Sequence, residues 1–153
     1  MDNQLKLNRV IYNNKELAII IREGYCSEGV QFLTDSSYSQ QLAYMHHDTG
    51  KNIDAHVHNH EVRSVKYTQE VLILRKGKLR VDFYDDNTDY LKSTILYGGD
   101  IILLADGGHG FKVLEEVEMI EIKQGPYLGE NDKVRFPGID DNKIIMDYEE
   151  NSN

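Results

Sequence analysis

Positions 69–84 read QEVLILRKGKLRVDFY. In the second half of this stretch Leu79, Val81 and Phe83 alternate with Arg80, Asp82 and Tyr84. Side chains of a strand point alternately to its two faces, so this is the pattern of a half-buried strand. The first half holds a short apolar block at 71–74. Lys76-Gly77 between them reads as a tight hairpin joining two strands. Comparable blocks recur outward from here, at 17–21, 101–104 and 117–122. Turn signals separate them: the polar run 85–89, the pairs Gly98-Gly99 and Gly107-Gly108, and Glu115-Glu116. The expected strands are 9–12, 16–22, 30–33, 41–46, 53–59, 69–76, 78–84, 91–97, 100–105, 110–114 and 117–123. No apolar stripe recurs at helical spacing. Many short strands at fairly even spacing predict an all-β sandwich or barrel.

The chain has 153 residues, which suits one domain. Folding at this size buries roughly 70% of the unfolded surface, enough for a core. Residues 1–40 are expected as N-terminal strands packing on the barrel, 41–125 as the barrel core, and 126–153 as an acidic extension. Within that extension Ile144, Ile145 and Met146 could dock on the barrel or on a second subunit, and 149–153 is expected to be loose. The formal net charge is -9 and the pI is near 5.1. Such a surface repels phosphate backbones and anionic membranes, so neither nucleic acid nor membrane is an expected partner. Residues 1–8 lack the apolar segment of a secretory signal, and no apolar run approaches the ~20 residues that span a bilayer. Cys26 is the one cysteine and cannot form a disulfide within the chain. It reads as a small hydrophobe rather than a reactive thiol. These features together predict a cytoplasmic protein.

One constellation suggests specific chemistry. His56 and His58 sit two apart in the expected strand 53–59, so both point to one face. Glu70 opens the next strong strand, and His109 follows the apolar strand 100–104 through Gly107-Gly108. Three imidazoles and one carboxylate on a β scaffold can hold one divalent ion. The donor set suits Fe, Mn, Ni, Co, Cu or Zn without choosing among them.

These segments resemble the two motifs of the cupin superfamily. Gly50 precedes His56 by five intervening residues, His56 and His58 match the paired histidines, and Glu70 precedes Gly77 by six. Gly99-Asp100, the strand 101–104, Gly107 and His109 resemble the second motif. The resemblance covers about 41–123. Eleven residues separate His58 from Glu70, longer than the family's usual spacing, and Ala105 stands where a proline is usual. Glu61 is the rival carboxylate, but no apolar strand follows it directly.

The resemblance implies an antiparallel double-stranded β-helix, the jelly-roll or cupin barrel. It also implies a metal ion held by His56, His58, Glu70 and His109. It points to an enzyme acting on a small polar molecule, foremost a sugar or nucleotide-sugar isomerase or epimerase of polysaccharide biosynthesis. Metal-dependent dioxygenation, a non-catalytic carbohydrate- or anion-binding module, and metal-free acid–base catalysis by the same histidines are the alternatives. His60 continues the period of His56 and His58, and with Tyr67 is the expected catalytic base. Arg63 and Lys66, in the long segment before Glu70, are the expected clamp for an anionic group of the substrate. Cupins are commonly dimers, and open sheet edges invite pairing, so a homodimer is expected.

Overall fold

The computed structural model describes residues 3–65 and 67–147. The chain is all-β. Among the described residues the strands are β1 (Leu7–Tyr12), β2 (Lys15–Ile21), β3 (Gly29–Phe32), β4 (Ala43–His46), β5 (Glu70–Tyr84), β6 (Tyr90–Tyr97), β7 (Ile101–Leu104) and β8 (Gly108–Lys123). β3 and β4 pair with each other as a separate two-stranded sheet. The rest form one antiparallel sheet, ordered β1-β2-β7-β5-β6, with β8 also on β5. That sheet curls strongly into a half-barrel, in keeping with the expected barrel class. No helix among the described residues is long and apolar enough to cross a membrane.

β5 is the hub, and it departs from the expected reading. Lys76-Gly77 does not reverse the chain; 70–84 runs on as one strand. β8 likewise passes through Glu115-Glu116 without turning. The register between them slips at Lys76 and Lys78, where Gly77 has φ +91°. A Cβ on Gly77 would lie 1.9 Å from the Glu116 carbonyl oxygen, so a side chain has no room there. A positive-φ glycine thus serves as a bulge that bends both strands, where the sequence pattern reads as a hairpin. The bulge also switches side-chain parity. Leu72 and Leu74 before it share a core cluster with Leu79, Val81 and Phe83 after it. The first half of β5 pairs with β7 and the second with β6, while β8 accompanies both. The polar run 85–89 does turn as expected: Asp85 Oδ1 accepts hydrogen bonds from the amides of Asn87 and Asp89, at 2.9 and 3.0 Å.

The inside of the curl is apolar. Ala18, Ile20, Ile102 and Leu104 face the halves of β5 there and are almost fully buried. Fully burying one such large aliphatic side chain contributes about 1.5–3 kcal/mol. Ile19, Val71 and Leu103 point to the outer face, where Tyr38 and Leu42 cover them. The β3–β4 hairpin belongs to this outer layer through Tyr44, which packs with Tyr25 and Leu33.

The C-terminal extension pairs with the edge of β6 and packs on the outer face of β5 in its own chain. The Ser93 amide donates to Ile145 O and the Asp147 amide to Ser93 O, each at 2.8 Å. Phe136 packs edge-on against Tyr84, ring centroids 5.0 Å apart, and the Ile139 amide donates to Tyr84 Oη at 2.9 Å. Beneath it lies a buried ionic network. Arg80 donates twice to Asp82, at 2.7 and 3.0 Å, and once to Asp141 at 2.9 Å. The residues 149–153, expected to be loose, lie outside the described residues.

The expected strand 53–59 is not formed. A strand requires a neighbour to complete its hydrogen bonds, and this segment has little apolar surface to hold it against one. Ile53 and Val57 are its aliphatic anchors, and Val57 is 89% exposed.

Candidate functional site

Glu70 and His109 meet on the inner face of the curl. Glu70 opens β5 and shares its face with Leu72 and Leu74 by strand alternation. It is 7% exposed, a burial that a carboxylate tolerates only when paired. His109 lies opposite Phe83 near the start of β8 and so points to the same interior. His109 Nε2 is 3.2 Å from Glu70 Oε2. Lys123, opposite Glu70 in the β5–β8 ladder, brings its Nζ within 3.8 Å of Glu70 Oε1 and 3.4 Å of Asp132 Oδ2. The hydrogen-bonded His109 imidazole holds the Glu70 carboxyl below its ordinary range. Burial opposes this, and the charges of His109, Lys123 and Lys133 add to it.

Chemically, this is a carboxylate that orients an imidazole. Engagement of Nε2 by Glu70 leaves Nδ1 as the nitrogen able to exchange a proton or bind a ligand. Phe111, its ring 5.3 Å from that of His109, gives the site an apolar wall.

His56 and His58 are elsewhere. Both are exposed in the segment before β5, their rings edge-on at 5.3 Å, with His56 Nδ1 2.9 Å from Asp54 O. The structure therefore brings His56 to His58 and Glu70 to His109. Among the described residues no three or more His, Cys, Asp or Glu side chains converge as a metal-binding group. By donor chemistry the four residues suit a divalent ion, but the converged pair alone falls short of the three or four protein ligands such ions commonly take. One ion held by all four requires the 53–59 segment to close onto the inner face.

His60, Glu61 and Arg63 are exposed on the same segment. Tyr67 is 66% exposed and lines an outer cleft with Gln69 rather than the Glu70 site. Lys66 lies outside the described residues. Lys123 and Asp132 are site residues that the sequence reading missed. A signal existed for Lys123. It shares the alternation of Met119 and Glu121, and the antiparallel partner of Glu70 must lie near the end of that strand. Asp132 sits in a short 3-10 turn beyond the last strand, where no periodicity points to it.

Comparison of the chain with family models, curated proteins and solved structures returns no match.

Proposed function

We propose that this is a cupin-type metal-binding enzyme whose chemistry is built on Glu70 and His109. Its substrate is a small, oxygen-rich molecule, and the leading reaction is isomerisation or epimerisation of a sugar or nucleotide sugar. The observation that carries the reading is the 3.2 Å approach of His109 to a buried carboxylate inside the half-barrel. The motif resemblance at 50–77 and 99–109 supplies the sugar class and the remaining ligands, His56 and His58. A divalent ion bound there would polarise a substrate carbonyl or hydroxyl. The chain's own groups do the rest. Glu70 fixes the His109 ring, and Lys123 places a positive charge beside developing negative charge.

A second reading rests on the same pair. A carboxylate and an imidazole in contact can move a proton alpha to a carbonyl without a metal. Metal content of untagged protein, measured by plasma mass spectrometry, decides between them. Near-stoichiometric metal, lost in both His56→Ala/His58→Ala and Glu70→Gln, is the expected result. No metal after reconstitution, with isomerase turnover persisting in strong chelator, overturns the metal reading in favour of the second.

We also read the protein as a cytoplasmic homodimer. β8 pairs only with β5 among the described strands and leaves Phe111, Val113 and Met119 more than two-fifths exposed. A long edge strand with apolar side chains is one that folded proteins cover. A purely monomeric species in sedimentation at micromolar concentration would refute this.

A further inference from the structure

A second concave feature lies on the other side of the sheet from Glu70. Gln69 and Glu70 are consecutive. Gln69 turns to the outer face, where its Nε2 donates to Ala105 O at 3.3 Å. There a cleft of about 450 Å3 opens between the start of β2, the loop after β3 and the approach to β5. That volume lies within the range of small-molecule sites, roughly 300–1,000 Å3.

The polar groups in its walls are already held in place. Gln69, 7% exposed, accepts hydrogen bonds at Oε1 from Ser39 Oγ at 3.3 Å and from the Gln40 amide at 3.1 Å. Tyr38 Oη donates to Glu16 Oε1 at 2.8 Å, and Arg9 pairs with the other oxygen of the same carboxylate. Lys15 Nζ lies 3.0 Å from Asp106 and 2.9 Å from Asp86. Such groups need little reordering to receive a ligand.

Charge and polarity narrow the ligand. Among the described residues the lining carries the carboxylates of Glu16 and Asp106, and Lys15 there is already shared between two aspartates. An anion would meet these two carboxylates, and among the described lining residues no cation that is not already paired. An apolar ligand would strip water from these groups and return no hydrogen bonds. A hydroxyl both donates and accepts, so it can give to a carboxylate while receiving from an amide or the ammonium group. The exposed Tyr67 ring at the rim offers a flat apolar surface to the C–H face of a pyranose.

We infer that this outer cleft binds a neutral sugar unit, at a site separate from Glu70 and His109. The inference stands independently of the reaction proposed at that pair. The test is saturation-transfer NMR on the full chain with the methyl glycosides of glucose, galactose, mannose and N-acetylglucosamine. Transfer to at least one glycoside is expected. Its affinity should fall about tenfold or more in Glu16→Gln and in Tyr67→Ala, the loss of one charged hydrogen bond or one stacking face. It should be unchanged in Glu70→Gln. Tyr67 is exposed, so its variant stays folded even if that of Glu16 does not. Absence of transfer to all four glycosides overturns the inference. So does binding that survives both cleft variants, or is lost in Glu70→Gln, which would place the sugar on the inner face. Tighter binding of glucose 1-phosphate than of methyl glucoside would refute the neutral class.

Discussion

Glu70 and His109 touch at 3.2 Å although they belong to opposite ends of one ladder. Glu70 pairs with Lys123 at one end, and His109 pairs with Phe83 at the other. Phe83 lies thirteen positions beyond Glu70 along β5, roughly 43 Å in a straight strand. The contact exists because β5 and β8 bend together at the Gly77 bulge and bring their far ends back across the interior.

The contact should register as energetic coupling. In a double-mutant cycle of Glu70→Gln and His109→Ala, with stability read from urea unfolding in chelator, a coupling of about 1 kcal/mol is expected. Strict additivity would mean that the ends of the ladder do not meet in solution.

Gly77→Ala should destabilise the fold by about 2–3 kcal/mol, because it combines an unfavourable φ with a backbone clash. Gly50→Ala is the control. Gly50 has φ +86° but nothing within 4 Å of an added Cβ. Its cost should be limited to the conformational penalty, about 1–2 kcal/mol. Equal losses in chemical denaturation would argue against the close approach at Glu116.

Asp82→Ala leaves Arg80 buried with Asp141 as its one charged partner among the described residues, and should cost about 3 kcal/mol. Asp141→Asn should instead act locally, releasing the extension to protease cleavage beyond Phe136 while the urea midpoint moves little. Lys112 and then Arg80 hold the Asp141 carboxyl below its ordinary value. A lowered folded value makes this tie complete above the ordinary aspartate range, about pH 3.9. It weakens as pH falls through the folded value. Cleavage in the extension by an acid-stable protease should therefore rise in acid, and a flat profile would count against the tie.

Burial, followed by the hydrogen bond to Glu16, pushes the Tyr38 hydroxyl up to about 12. Its neutral form is the one the fold favours. That contribution is whole below about pH 10, the unfolded value, and disappears as pH rises through the folded one. The tyrosinate absorbance of the wild type should include a step near pH 12 that Tyr38→Phe removes. An unchanged titration curve would show that Tyr38 does not carry it.

Much of this protein was legible from local pattern. Alternation in Leu79, Val81 and Phe83, together with apolar blocks punctuated by glycine and aspartate, foretold an all-β chain and most strand positions. Gly77 is ambiguous in the sequence for a physical reason. A positive-φ glycine serves a hairpin and a bulge equally, and the choice depends on whether a partner strand runs past it. The strand 53–59 failed for the complementary reason, since alternation alone supplies no hydrogen-bonded neighbour.

At the site, residue chemistry alone marks Glu70 and His109 as donors. That they meet is a matter of curvature. They stand 39 residues apart in the chain. Their approach depends on the bend of β5 and β8, which the packing of Leu72 and Leu74 against Leu79, Val81 and Phe83 holds in place. Lys123 joins them through register, and Tyr67 lines the outer cleft with Gln69 while Glu70 faces inward. Period and composition are properties of neighbours along the chain, whereas contact across a curled sheet is set by distant residues acting together.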